Sequence, residues 1–163
     1  MIRMFLVSLL ALMIWPAEAQ QPSNAPGIDD MVKALTPVAR TRSLGSATRN
    51  LNPTLDLTVN FDFDSATLRS DGRELLGRLA KALGDERLAT FKFRVEGHTD
   101  AKGTEAYNDQ LSHRRAEAVV AFLVSSGVVS DRLEPIGKGF KELLNPADPH
   151  SASNRRVRVI TLP

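Results

Sequence analysis

Asp100 and Arg115, fifteen positions apart, are the two side chains best placed to do chemistry in this chain. Leu111, Arg115, Val119 and Phe122 recur at i, i+4, i+8 and i+11, which is one face of a helix. That face is otherwise apolar. An unpaired guanidinium there is costly, so Arg115 needs an anionic partner. Asp100 ends a run of alternating residues, and Gly97 and Gly103 on either side let the backbone turn tightly. Pockets in open α/β sheets tend to form at the carboxyl ends of strands, beside the helix that follows. A carboxylate and a guanidinium held at such a junction can clamp a ligand that is itself zwitterionic. The same residues also fit an internal salt bridge or, for Asp100, a capped turn. Residue types and spacing alone leave these readings open.

Two other chemistries are weaker. His98-x-Asp100 with His113 offers imidazole and carboxylate ligands, but nothing in the pattern brings His113 to the strand. A catalytic zinc site usually needs three convergent ligands and an open position, so no metal is expected. Ser112 beside His113 has neither an acid to orient the imidazole nor an evident oxyanion hole. The pattern implies recognition, with no enzymatic activity and no cofactor.

The elements that must position these residues follow from periodicity. Leu55, Leu57 and Val59 alternate with polar residues, as do Phe91, Phe93 and Val95, and both runs predict half-buried strands. Leu75, Leu76, Leu79, Ala80 and Leu83 predict a helix that Ser70 would cap and Gly84 would end. A second helix is expected from a Thr104 cap to Ser126, with a possible break at Ser112. Further strands are expected near Leu133–Gly137 and over Arg155–Thr161, separated by Asn145-Pro146-Ala147-Asp148-Pro149, which forbids regular structure. The order β-α-β-α-β-β implies an α+β two-layer sandwich over 54–163, with two helices on a mixed four-stranded sheet.

The preceding residues read differently. Arg3, the apolar run from Met4 to Trp15 and Ala17-Glu18-Ala19 predict a cleaved export signal over 1–19, too short to span a bilayer. Residues 20–53 are expected to be a flexible tether with a short helix at 28–35, where Ile28, Met31, Val32 and Leu35 share one face. The chain has no cysteine, so neither disulfides nor lipoprotein-type acylation is expected. The formal net charge is only +2, with acids and bases interspersed, which does not single out nucleic acid as a partner. No later run is long enough for a transmembrane segment.

Four fragments in order carry a resemblance to a known family. They are Phe61-Asp62-Phe63-Asp64-Ser65, Val95-Glu96-Gly97-His98-Thr99-Asp100, the Tyr107–Leu123 stretch containing Asn108-x-x-Leu111-Ser112-x-x-Arg115-Ala116-x-x-Val119, and Asn154-Arg155-Arg156-Val157. From about Val59 to Leu162 the chain resembles the OmpA-like C-terminal domain, the peptidoglycan-associating module also found in Pal lipoproteins and MotB stator proteins. The resemblance implies non-covalent binding of the meso-diaminopimelate of the peptidoglycan stem. Asp100 would take the ligand's ammonium and Arg115 its carboxylate. Thr99 and Asn108 would add polar contacts, Leu111 an apolar wall, and the main chain around Phe63, Asp64 and Ser65 would orient the zwitterion. With the export signal, the expected location is the periplasm of a Gram-negative bacterium, to which the resemblance adds association with the outer membrane or wall. The tether could then dock an envelope protein. The rival reading keeps the fold as a protein-interaction module without wall binding. Gly137-Lys138-Gly139-Phe140 departs from the family's Gly-Tyr-Gly-Glu pattern, which suggests a pocket rim that is more basic or differently shaped.

Overall fold

Strand alternation sets the sheet. The computed structural model describes residues 25–37 and 52–163, with strands β1 (Thr54–Leu57), β2 (Lys92–His98), β3 (Leu133–Gly139) and β4 (Val157–Leu162). The expected export signal lies outside the described residues, as do 20–24 and 38–51 of the expected tether. The sheet order is β1-β4-β2-β3; β2 and β3 run parallel, whereas β4 is antiparallel to both β1 and β2. Val95 pairs with Val159 and Gly97 with Val157, so one face is apolar and receives the helices. The result is the mixed sheet and two-layer α+β sandwich that the periodicity implies.

Helices α2 (Ser70–Leu83) and α3 (Glu105–Ser125) cover that face. Leu76, Leu79 and Leu83 of α2 and Val119 and Leu123 of α3 are fully buried with Phe93 and Val95. Ser70 opens α2 instead of capping it: Arg69 holds the cap position, with no side-chain cap bond. Thr104 does cap α3, accepting from the Tyr107 amide at 3.3 Å. The break considered at Ser112 does not occur. Its hydroxyl donates to the Asp109 carbonyl and accepts from the Gly139 amide, both at 2.9 Å, so the side chain is satisfied inside a continuous helix.

A third helix, α1 (Ile28–Leu35), joins this layer. Met31, Val32 and Leu35 are wholly buried in the common core, and Thr161 of β4 donates to the Leu35 carbonyl at 2.6 Å. Burial of each such side chain contributes roughly 1.5–3 kcal/mol. The short helix expected at 28–35 is present, but one part of the expected tether is corrected: residues 28–35 pack into the folded domain. Among the described residues no helix is long and apolar enough to cross a membrane.

Glycines fix how closely α3 approaches the sheet. A Cβ on Gly97 would lie 2.2 Å from the Ser112 carbonyl oxygen, and one on Gly137 would lie 2.7 Å from the His113 amide nitrogen. Backbone therefore packs against backbone at the C-terminal end of β2, which sets Asp100 beside α3. The opposite sheet face carries charge. Lys138 pairs with Glu142 at 3.0 Å and with buried Glu96 at 3.5 Å, while Asp56 accepts from Arg156 at 3.1 Å and Arg158 at 2.9 Å. Burial opposes ionisation of Asp56, but the hydrogen bonds and charges of Arg158 and Arg156 outweigh it and lower its pKa.

Candidate functional site

Three chain segments meet at the C-terminal end of β2. They are the connection from β1 to α2, the turn after β2, and the residues entering β4. Together with α3 they line an open cavity of about 750 Å³, whose walls include Phe61, Thr99, Asp100, Leu111, Arg115 and Arg155. The close approach of α3 to β2 brings the Asp100 turn and the Arg115 face to the same cavity.

Asp100 is 7% exposed and doubly engaged. Its Oδ1 accepts from the Lys102 amide at 3.2 Å, and its Oδ2 accepts from Arg155 Nη1 at 2.8 Å. Arg115 is half-buried and makes no ion pair among the described residues. Its Nε donates to the Ser65 carbonyl at 3.0 Å, and its guanidinium stacks 4.9 Å from the centre of the Phe61 ring. Burial draws its pKa below the ordinary guanidinium value; Arg155 adds repulsion, and Asp100 and Asp64 oppose it. An arginine remains charged under such a shift. The two anchors hold the planar fork while leaving its terminal nitrogens without a carboxylate, an arrangement suited to bidentate capture of an anion.

The remaining residues fall into two groups. Thr99 lines the cavity with a buried hydroxyl that has no hydrogen-bond partner, and Leu111 supplies an apolar wall that is 6% exposed. Asn108 also reaches the cavity, but its amide donates to the carbonyls of Lys102 at 2.7 Å and Thr104 at 3.0 Å. Those donors shape the turn and are not available to a ligand. Phe63 and Asp64 lie on the cavity wall, Phe63 fully exposed and Asp64 accepting from the Tyr107 hydroxyl. Ser65 acts from behind the wall, through the carbonyl that holds Arg115.

Arg155 was missed in the sequence as a site residue, although Asn154-Arg155-Arg156-Val157 carried part of the resemblance. Its signal was present but illegible: Asn154 places it through tertiary contacts. The buried Asn154 accepts from the Asn145 amide at 2.8 Å and donates to the carbonyl of Asp148 at 2.9 Å, folding the long connection back so that Arg155 meets Asp100. The basic rim expected at Lys138 is a correction. Lys138 faces the other side of the sheet and takes no part in the cavity, because alternation along β3 turns Gly137 toward α3 and Lys138 away. His98 likewise points to the charged face, whereas His113 is exposed on α3 beside Glu117.

Comparison with known proteins gives this geometry a family. A model of the OmpA family matches residues 60–158. The chain belongs to the OmpA family. Within the OmpA-family match lie the 63–65 loop, Thr99, Asp100, Asn108, Leu111, Arg115 and Arg155, while α1 falls outside it. Outer membrane protein A of Bordetella avium is 43% identical over 104 residues, covering 61% of this chain and 51% of that protein. The chain thus spans about half the length of that relative. The peptidoglycan-associated lipoprotein of Brucella melitensis is 32% identical over 125 residues, 73% of either chain. Among solved structures, the peptidoglycan-associated lipoprotein from Burkholderia pseudomallei has a TM-score of 0.55 and 31% identity, over 64% of this chain and 88% of that one.

Proposed function

We propose that this OmpA-family domain binds the peptide stem of peptidoglycan non-covalently, in the periplasm of a Gram-negative bacterium, and thereby tethers itself or an associated envelope complex to the wall. The observation that carries this reading is the state of Arg115. It is an immobilised, half-buried guanidinium with no carboxylate partner among the described residues, in the same cavity as the nearly buried carboxylate of Asp100. The names of the Brucella and Burkholderia relatives, both peptidoglycan-associated lipoproteins, support the class of ligand.

Meso-diaminopimelate matches the clamp chemically. Its side-chain end carries an ammonium for Asp100 and a carboxylate for Arg115, and both contacts are charge-assisted hydrogen bonds. The two occupied oxygens of Asp100 retain lone pairs, so an ammonium can join Lys102 and Arg155 there. Thr99, with its unpartnered hydroxyl, is a further polar contact. A lysine-type stem has the amine without the carboxylate, leaving Arg115 unpaired. By analogy with truncated charge pairs, that omission costs roughly 2–5 kcal/mol. Binding of this kind makes and breaks no covalent bond. The domain is a binding module, not an enzyme.

Co-sedimentation with purified diaminopimelate-type peptidoglycan tests the reading. The parent chain should pellet with the wall, and Asp100→Ala and Arg115→Ala should remain in the supernatant while folded. A folded parent that stays in the supernatant would overturn wall binding.

A further inference from the structure

The loop after β1 carries an acid that the clamp does not use. Asp64 is on the cavity wall with a positive φ of 51°, and its carboxylate accepts from the hydroxyl of Tyr107 in the first turn of α3. Eight positions along the same helix, Arg115 Nε donates to the carbonyl of Ser65, the neighbour of Asp64, at 3.0 Å. Two residues of α3 therefore hold two consecutive loop residues. Asp64 and Arg115 line the same cavity, yet the Arg115 side chain bonds the carbonyl of the neighbouring Ser65 and the Asp64 carboxylate bonds Tyr107, with no ion pair between the two among the described residues.

That separation has a chemical consequence. A carboxylate released beside a half-buried guanidinium would pair with it, in the bidentate geometry that a ligand's carboxylate needs. We propose that the Tyr107 hydroxyl is a latch that keeps the Asp64 carboxylate off Arg115 and so leaves the guanidinium open to the ligand. Tyr107 is on this basis a positioning residue, and the inference rests on the wall-peptide reading above. Without the latch, the ligand must displace an ion pair within the protein before it can bind.

The test is calorimetric titration of the full chain with a diaminopimelate-containing muropeptide. Tyr107→Phe keeps the ring and removes only the hydroxyl. Asn tolerates the left-handed backbone region as Asp does, so Asp64→Asn preserves the loop while removing the charge. Tyr107→Phe should bind about five- to tenfold more weakly, the range expected for one hydrogen-bond-sized interaction. Adding Asp64→Asn to Tyr107→Phe should recover most of that loss, because no carboxylate is left to block Arg115. A purely structural Tyr107–Asp64 bond would show no such recovery, since the double variant lacks the bond too. Unchanged affinity in Tyr107→Phe, or a loss that persists in the double variant with an unaltered melting temperature, overturns the latch. A parent that binds no muropeptide overturns the wall-peptide reading and the latch together, and is recognised by that control.

Discussion

Asp100 accepts a hydrogen bond from Arg155 Nη1 at 2.8 Å, and it is this arginine, not Arg115, that pairs with its charge. The proposed clamp thus gains a third charged neighbour, and the cation on Asp100 comes from a segment remote in sequence. Arg155 is 45% exposed at its side chain, so its removal should leave the fold intact. Arg155→Ala should weaken muropeptide binding by about three- to tenfold, less than Asp100→Ala, because the ammonium keeps its acceptor but loses the group that orients it. Titration calorimetry of the two variants side by side checks the order.

Gly97 is the second point of leverage. Its missing Cβ would lie 2.2 Å from backbone of α3, which cannot yield as a flexible side chain could. Gly97→Ala should force α3 away from β2, destabilise the domain by about 3 kcal/mol or more, and separate Asp100 from Arg115. Denaturant melts measure the first effect. Wall co-sedimentation of the fraction that remains folded measures the second.

How much of this was legible in the sequence depends on the range of the interaction that decides each feature. Leu75–Leu83 and Leu111–Phe122 carry their own 3.6-residue period, and Phe93 and Val95 their own alternation, so helices, strands and the inward face of Arg115 could be read locally. The helix at 28–35 was legible, but its place was not. Nothing local says that Met31 and Leu35 dock on α2 and β4. The Asp100–Arg155 pair depends on the Asn154 contacts, and the committed amide of Asn108 on the shape of the turn it closes. Neither leaves a periodic trace. Lys138 was misplaced because a resemblance of motif does not say which way a strand residue faces.

The docking of α1 has its own consequence. Met31→Ala or Leu35→Ala should each cost roughly 2–5 kcal/mol, as expected for large-to-small changes at fully buried positions. A free tether would give no change. Thermal denaturation of the two variants and of a chain lacking residues 20–37 decides between a domain element and a tether.

Stability should also fall in mild acid. His98 is buried with no hydrogen-bond partner on either ring nitrogen, although Glu96 Oε2 lies 3.5 Å from Nε2. Burial, then the charges of Arg156 and Arg158, push its pKa down from 6.5 to about 4 against the opposing pull of Glu142 and Asp56. As pH falls, the unfolded chain takes up this proton first. The contribution of neutral His98 is therefore complete above the unfolded pKa and is lost as pH falls from 6.5 toward 4, at up to about 1.4 kcal/mol per pH unit. Urea melts across that window should show the decline, and His98→Gln, which cannot ionise, should flatten it. An identical pH profile in His98→Gln would contradict this assignment.

The zwitterion clamp is tested most directly by comparing two muropeptides that differ only in the third stem residue, diaminopimelate or lysine, titrated into the parent and Arg115→Gln. The clamp requires the parent to prefer the diaminopimelate form by about thirtyfold or more, the fold equivalent of at least 2 kcal/mol. It also requires Arg115→Gln to lose most of that preference, since the carboxylate no longer meets a cation. Equal affinity of the parent for both muropeptides, or an undiminished preference in Arg115→Gln, would contradict it.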